Sequence, residues 1–350
     1  MQKVRKGEEL NKETLKEFLQ QYQLIANINS PLEVMQFSTG ASNLTYLLKI
    51  ENRELVLRRP PKGAIKRGHD MGREFKVLTG LNKGFAKAPK AYVYTEDASI
   101  IGASFYVMEK IEGIIIDMKE AKKRNITERE FPIIANSWLD TLVELHGLDY
   151  EALGLGDLGR PNGYVERQVR NWGKQFLNAV TEEVPEASKV MAWLHKHQPT
   201  TYDHCLIHND YKYDNVVFED DAWQNINAVL DWEMCTLGDP LMDLGAAIAY
   251  WVTANDDPMI QQTFSYPTMM AGNPSRSEVV EQYAQKSGRP INHLVFYYAF
   301  GLFKNAVIVQ QIYYRYAKGL TTNEAFANFN QLTKFFCKLA WQAIQSQRIE

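Results

Sequence analysis

The chain has 350 residues, of which 45% are hydrophobic and 23% are charged, and its formal net charge is -3 at pH 7. This length and apolar content suffice for a sizeable core in two domains or lobes. The small net charge gives no support for nucleic-acid binding. Three cysteines without metal-site spacing support neither a disulfide framework nor a zinc site, and they suit a reducing cytoplasm. No apolar stretch is long enough to span a membrane, so we expect a cytoplasmic protein without membrane contact.

The first predicted elements are a helix and two β-hairpins. Asn11 is a good N-cap, and the residues after it form an apolar stripe with helical spacing. The stripe consists of Leu15, Phe18, Leu19 and Tyr22. β-rich segments at residues 44–50 and 55–58 flank a polar turn, and segments at 91–94 and 105–108 do the same. Such pairs predict antiparallel hairpins.

Residues 70–81 predict a helix with one charged residue on its apolar face. The apolar side chains cover one continuous face, and Glu74 lies in the middle of it. An unpaired buried carboxylate is too costly. The sequence therefore predicts a cation next to Glu74.

Beyond Gly113 the pattern is mostly helical. The exception is a predicted hairpin of two β-rich runs, at residues 216–218 and 226–230, on either side of a polar turn. We therefore predict an α+β fold with a small β-rich N-lobe at residues 1–108 and a larger, mostly helical C-lobe at residues 109–350.

The most informative stretch is the loop at residues 208–215, which leads into this last hairpin. His208, Asp210 and Asn215 follow the pattern His-x-Asp-x-x-x-x-Asn, and Asp231 comes directly after the second strand. In kinase chemistry this arrangement supplies a proton-accepting Asp and two metal ligands. The two ends of an antiparallel hairpin lie close together, so Asn215 and Asp231 are expected to converge as hard oxygen ligands for Mg²⁺. The alternative is a loop whose Asn and Asp residues only cap and turn the chain.

Six segments resemble, in order, the aminoglycoside phosphotransferase and choline kinase family, small-molecule relatives of protein kinases. They read FSTGASNLTYLL, LVLRRPP, REFKVL, FYVMEKIEG, LIHNDYKYDNVVF and VLDWEMCTLGDPLMDLG, and they lie within residues 36–247. Within the family, the sequences of these segments are most similar to those of the kinase-like domains fused to acyl-CoA dehydrogenases and of their free-standing bacterial relatives. The resemblance implies a protein-kinase-like fold and phosphoryl transfer that depends on ATP and Mg²⁺.

The resemblance also implies roles for the motif residues. Asp210 would orient and deprotonate the acceptor hydroxyl, and Asn215 and Asp231 would hold Mg²⁺. Arg58 stands where the wider family has the Lys that contacts the ATP phosphates, and Glu74 would hold it in place. The alternative is a salt bridge between Arg58 and Glu74 without a ligand role.

Five more residues are implied nucleotide contacts. Ser42 and Asn43 lie in the turn that would cover the phosphates, although this turn has one Gly in place of three. Met108 would lie beside the adenine, and the Glu109 C=O and Ile111 N–H groups would hydrogen-bond the base. Without the resemblance, these segments are an ordinary turn and a buried edge strand before a Gly turn.

Three polar residues near the motif are interpreted as structural. Asp239 before Pro240 is a strong helix start. Asp243 and His208 are interpreted as hydrogen-bonding braces of the loop that carries Asp210.

The predicted acceptor is a small molecule with a hydroxyl group. The similarity to acyl-CoA-dehydrogenase-linked domains implies a hydroxyacyl-CoA, whose phosphates the basic residues between Arg58 and Arg67 could meet; a solvated basic loop is the alternative for those residues. A cationic acceptor such as an aminoglycoside or choline is the other candidate. A nucleotide-binding regulatory protein without turnover stays open, whereas the lack of a His pair argues against a metal-dependent hydrolase. The oligomeric state is not predicted.

Overall fold

The structure, a computed structural model, describes residues 1–37, 43–61, 70–263, 266–321 and 323–350. The chain divides into two compact units. Unit 1 contains residues 1–113, 151–155 and 227–235. Unit 2 contains residues 114–150, 156–226 and 236–350.

Unit 1 is built around an antiparallel sheet whose strands, in the described residues, have the order β1-β2-β3-β4-β6-β5. The strands are β1 Gln2–Lys3, β2 Leu32–Gln36, β3 Leu44–Ile50, β4 Arg53–Arg59, β5 Ala91–Thr95 and β6 Phe105–Glu109. The helices are α1 Lys12–Gln21, α2 Met71–Leu81 and α3 Ala98–Ile101. Both predicted hairpins are confirmed, as β3–β4 and β5–β6. The second also contains α3, which was not predicted.

Helices α1 and α2 begin where the sequence predicts. The side chain of Asn11 accepts hydrogen bonds from two N–H groups of the first turn of α1, and the Asp70 side chain accepts from Arg73 N (3.0 Å) at the start of α2. Glu74 lies on the buried face of α2. The core of unit 1 joins α1 to the sheet through side chains such as Phe18, Leu48 and Phe105. Burial of each such side chain contributes about 1.5–3 kcal/mol.

Unit 2 is mostly helical. Its helices are α4 Met118–Arg124, α5 Phe131–His146, α6 Tyr164–Ala179, α7 Pro185–Lys196, α8 Pro240–Ala249, α9 Pro258–Thr263, α10 Arg276–Ser287, α11 Leu294–Ala317 and α12 Phe329–Ser346. Strands β7 (Cys205–Ile207) and β10 (Thr236–Gly238) form one antiparallel pair. The two predicted β-rich runs are present as strands β8 (Val216–Phe218) and β9 (Ile226–Val229), and residues 227–229 of β9 belong to unit 1.

Helices α8 and α11 pack in direct backbone contact. A Cβ atom at Gly301 of α11 would lie 2.5 Å from the Gly245 carbonyl oxygen of α8, and one at Gly245 would lie 2.5 Å from the carbonyl oxygen of Tyr297. Any larger side chain would separate the helices. As predicted, α8 itself begins with Asp239 as N-cap, whose side chain accepts from Leu241 N (2.8 Å).

Of the helices in the described ranges, none combines the length and the apolar character needed to cross a membrane.

Candidate active site

The loop at residues 208–215 follows β7, and two buried side chains hold its first residues. Asp243 of α8 accepts hydrogen bonds from the backbone N–H of His208 (2.7 Å to Oδ2) and of Asn209 (2.7 Å to Oδ1). The His208 ring accepts from the Asp210 N–H at Nδ1 (3.2 Å). The predicted bracing roles of Asp243 and His208 are therefore confirmed.

Asp243 is held in turn by a buried imidazole. His146 Nε2 lies 3.1 Å from Asp243 Oδ2, and His146 Nδ1 lies 2.7 Å from the hydroxyl of Tyr283. Burial alone raises the pKa of a carboxyl group, but the hydrogen bond from His146 and the neighbouring ring of His208 bring the pKa of Asp243 below its usual value. Asp243 is therefore ionised, which is the form that accepts hydrogen bonds from two backbone N–H groups.

The Asp210 carboxylate lies between an amide and an ammonium group. Asn215 Nδ2 donates to Asp210 Oδ2 (2.9 Å) and to the Asp210 carbonyl oxygen (2.8 Å). Lys212 Nζ lies 3.3 Å from the same Oδ2 atom, and 18% of the Asp210 side chain is exposed. A reactant can therefore reach a carboxylate whose orientation is fixed.

Lys212 is a neighbour of Asp210 that sequence reasoning missed. Its Nζ lies 5.1 Å from the ring centroid of Tyr250. Burial lowers the pKa of a lysine, but Asp210 and Asp214 outweigh that effect and raise the pKa of Lys212 above its usual value. The sequence signal for this neighbour was the alternation of negative, positive and negative residues at positions 210, 212 and 214.

Asn215 has the atom type needed for a metal ligand. Because its Nδ2 donates to Asp210, its remaining amide atom, Oδ1, is the kind of hard acceptor that binds Mg²⁺. Asn215 belongs to unit 2 and Asp231 to unit 1, so their convergence on one cation stays a prediction.

In unit 1, one arginine lies among acidic side chains in what we call the Arg58 cluster, made of Arg58, Glu74, Asp231, Glu233 and Asn43. Arg58 NH1 donates to Glu74 Oε1, and both side chains are buried. Arg58 NH2 lies 3.4 Å from Asp231 Oδ1 and 3.4 Å from Glu233 Oε2. Asn43 Nδ2 donates to Glu233 Oε2 (3.1 Å). The predicted cation next to Glu74 is thus Arg58, and Glu233 is a member that sequence reasoning missed.

The Arg58 cluster has more negative than positive groups. Burial lowers the pKa of Arg58, but the charges of Glu74 and the other carboxylates outweigh it and raise that pKa well above its usual value. Burial raises the pKa of Glu74, against the effect of Arg58. The side chains of Asp231 and Glu233 keep 37% and 18% of their surface exposed.

The donor set of the Arg58 cluster fits Mg²⁺ in a nucleotide site. Across the described residues, no three His, Cys, Asp or Glu side chains are grouped so as to hold a metal ion. Mg²⁺ is typically bound through one or two carboxylates and completes its coordination with phosphates and water. Asp231 also has φ +65° and ψ 61°, a left-handed conformation that is uncommon outside glycine and often occurs at functional sites.

Three of the remaining predicted nucleotide contacts lie at or near the end of one strand. Met108 and Glu109 are the last residues of β6, and Ile111 follows shortly after. The Glu109 carboxylate accepts from Lys90 N (3.2 Å). Ser42 lies outside the described residues. Contact of these residues with a nucleotide stays a prediction.

The sequence model of the phosphotransferase enzyme family matches residues 33–277. The chain belongs to this family. This phosphotransferase-family chain is 31% identical, over 97% of its length, to acyl-CoA dehydrogenase family member 10 of Mus musculus. The match spans 31% of that protein, so this chain corresponds to about a third of that relative.

Three solved structures place the chain in the kinase-like fold. A candidate aminoglycoside phosphotransferase of Ralstonia eutropha has a TM-score of 0.80 and 29% identity, with coverage of 97% of this chain and 99% of that one. Choline kinase of Cryptosporidium parvum has a TM-score of 0.62 at 12% identity (coverage 97% and 98%). Aminoglycoside phosphotransferase APH(4)-Ia, as a thermostable mutant in ternary complex with AMP-PNP and hygromycin B, has a TM-score of 0.58 at 15% identity (coverage 94% and 98%). The predicted family resemblance and α+β, protein-kinase-like fold are confirmed.

Proposed function

We propose that this chain is an ATP- and Mg²⁺-dependent phosphotransferase that phosphorylates the hydroxyl group of a small molecule. The observation that carries the proposal is the Asp210 carboxylate, which is partly exposed and fixed by Asn215 and Lys212 on a loop that Asp243 braces. A protein that only binds nucleotide has no need for such a group.

Asp210 is the proposed catalytic residue. It accepts the proton of the acceptor hydroxyl as the new O–P bond forms and the bond between the γ-phosphorus and the bridging oxygen of ATP breaks. The braced loop limits how far the carboxylate has to reorganise during this step. The products are the phosphorylated acceptor and ADP.

Asn215 and Asp231 are the proposed metal ligands. Mg²⁺ held there would offset the negative charge of the phosphates. The support comes from the hairpin pattern of the sequence and from the excess negative charge around Arg58.

The proposed nucleotide contacts belong to residues 1–108, the proposed N-lobe, and to the start of the proposed C-lobe, 109–350. Arg58, held by Glu74, would neutralise phosphate charge. Ser42 and Asn43 would cover the phosphates, and the adenine would contact the segment whose residues are Met108, Glu109 and Ile111. The AMP-PNP in the APH(4)-Ia complex supports an adenine nucleotide as the donor.

The nucleotide role of Arg58 can be tested with a double-mutant cycle. Glu74→Gln and Arg58→Met should each weaken ATP binding, by about 1 kcal/mol or more, and the double variant should lose at least about 0.5 kcal/mol less than the sum because the two residues act as a pair. Titration calorimetry with AMP-PNP measures all four proteins.

A matched control exists on the same strand. Glu54 of β4 forms ion pairs with Lys49 and Lys110, so Glu54→Gln removes a β4 carboxylate that pairs elsewhere, and ATP affinity should stay unchanged. Strict additivity of the first two substitutions would contradict the pairing. Equal ATP affinity in all variants would mean that Arg58 and Glu74 form a salt bridge that has no role in nucleotide binding.

The proposed acceptor is a hydroxyacyl-CoA. The support is the 31% identity with a relative named acyl-CoA dehydrogenase family member 10. Two of the basic residues suggested as contacts of the CoA phosphates form other polar contacts within the chain. Arg58 contacts carboxylates, and buried Arg59 donates to the Ile101 carbonyl oxygen (2.9 Å). The rest of that basic run, residues 62–67, lies outside the described residues.

A cationic acceptor is the second candidate, favoured by the hygromycin B bound to APH(4)-Ia. We expect ATP consumption with 4-hydroxyvaleryl-CoA and little with kanamycin or choline, measured by coupled ADP release. Valeryl-CoA, which lacks the hydroxyl group, is the control. Turnover on either cation with none on the thioester would reverse the choice.

A further inference from the structure

Lys304 is a buried lysine at the middle of α11, and it contacts the loop that carries Asp210. Its exposed fraction is 3%. Its Nζ donates to the Asn209 carbonyl oxygen and lies 5.8 Å from the ring centroid of Trp172. The ion pairs found among the described residues include none with Lys304. A buried ammonium group without an ion pair is rare, because burial disfavours the charged form, so its single strong contact calls for a reason.

That contact falls on a residue in an uncommon backbone conformation. Asn209 has φ +66°, in the left-handed region that few residues other than glycine, asparagine and aspartate adopt. Three helices hold it there. Asp243 of α8 accepts from its N–H (2.7 Å), the hydroxyl of Tyr164 on α6 donates to its Oδ1 (3.1 Å), and Lys304 of α11 donates to its C=O.

The peptide between Asn209 and Asp210 is fixed at both of its polar atoms. Lys304 binds its carbonyl oxygen, and the His208 ring accepts from its N–H, which belongs to Asp210 (3.2 Å). Rotation of this peptide plane would turn the Cα–Cβ bond of Asp210. The charge of Lys304 strengthens the contact, since hydrogen bonds from an ammonium group are about twice as strong as neutral ones.

The backbone of α11 is itself held close to the loop. Gly245 and Gly301 let α11 lie directly on α8, the helix that supplies Asp243. Burial lowers the pKa of Lys304 below its usual value, whereas Asp210 and Asp243 act in the opposite direction. Asp210 and Asp243 therefore offset part of the effect of burial.

We propose that Lys304 is a positioning residue, which holds the Asn209–Asp210 peptide so that Asp210 faces the acceptor hydroxyl. The catalytic part of this inference rests on the proposed function. The clamp on the loop does not, and it can be measured separately.

The first test compares two methionine substitutions on the same helix. Lys304→Met removes the donor to Asn209. Gln310→Met is the matched control, because Gln310 is also buried on α11 and donates to a backbone carbonyl, that of Ala179 (2.9 Å). Hydrogen–deuterium exchange of the segment that spans residues 206–213 should accelerate about tenfold or more in Lys304→Met and stay within about twofold in Gln310→Met. Equal exchange in the two variants would overturn the clamp.

The second test measures turnover on whichever acceptor the wild type phosphorylates. Lys304→Met should lower kcat about 10- to 100-fold and leave the KM for ATP within about twofold, because alignment acts mainly in the transition state. Gln310→Met should keep its kcat. Adding Asn209→Gly to Lys304→Met should restore kcat at least threefold, since glycine adopts positive φ without strain.

The outcomes separate the two proposals. Accelerated loop exchange in a protein whose wild type has no turnover would refute the proposed function and keep the clamp. Normal turnover in Lys304→Met would refute the positioning role and keep the function. If Lys304→Met does not fold, Lys304→Arg keeps the charge but shifts the donor. Lys304→Arg is then expected to show the same loss of kcat at an unchanged KM for ATP. Wild-type turnover in Lys304→Arg would overturn the inference.

Discussion

Asp210→Asn is expected to lower kcat by about three orders of magnitude or more while ATP affinity stays within about twofold of the wild type. The substitution keeps the size and shape of the side chain but removes the carboxylate proposed to accept the proton of the acceptor hydroxyl, a role that acts mainly in the transition state. Steady-state kinetics gives kcat, and titration calorimetry with AMP-PNP gives the affinity.

Asp214→Asn is the matched control for this prediction. Asp214 lies in the same loop, and burial raises its pKa above the usual value, but it is not a proposed participant in the reaction. We expect kcat to fall less than about fivefold, as for a substitution that removes no transition-state contact. If Asp210→Asn keeps more than about a tenth of wild-type turnover, the assignment of the general base fails.

Asp231→Asn is expected to abolish the effect of Mg²⁺ on nucleotide binding. In the wild type, Mg²⁺ should tighten AMP-PNP binding about tenfold or more, because the ion joins protein carboxylate and phosphates. In the variant the ratio should fall below about two. Asn suits this position better than Ala, since Asn tolerates the left-handed backbone found at Asp231. Binding is measured by calorimetry with Mg²⁺ and with EDTA.

Glu233→Gln separates the two carboxylates that Arg58 NH2 contacts. Both lie 3.4 Å from that nitrogen, so a general loss of negative charge would affect both variants equally. We expect Glu233→Gln to keep most of the Mg²⁺ effect. The same Mg²⁺ dependence in Asp231→Asn and wild type would remove Asp231 from the metal site, and loss of the effect only in Glu233→Gln would move the site to Glu233.

Local patterns were sufficient to predict most elements of unit 1. The cap at Asn11 with the apolar stripe after it predicted α1, and the apolar face of residues 70–81 predicted α2. The hairpins followed from paired β-rich runs with polar turns. These signals lie within about ten residues of one another and act through backbone preference and periodicity. Strands β1 and β2 were not predicted, and β1 has only two residues, which pair with β2.

The sequence by itself also identified the candidate catalytic residues. The tertiary structure decided which other side chains hold them in place. The spacing of Asp210 and Asn215 is local, and the structure joins them by a hydrogen bond. The contact of Lys304 with Asn209 spans 95 positions, and that of Asn43 with Glu233 spans 190. No periodic pattern encodes such pairs. These contacts exist because the packing of whole helices and strands brings distant side chains together. Once a lysine or a carboxylate is buried there, it needs a polar partner, because a buried charge without one is costly.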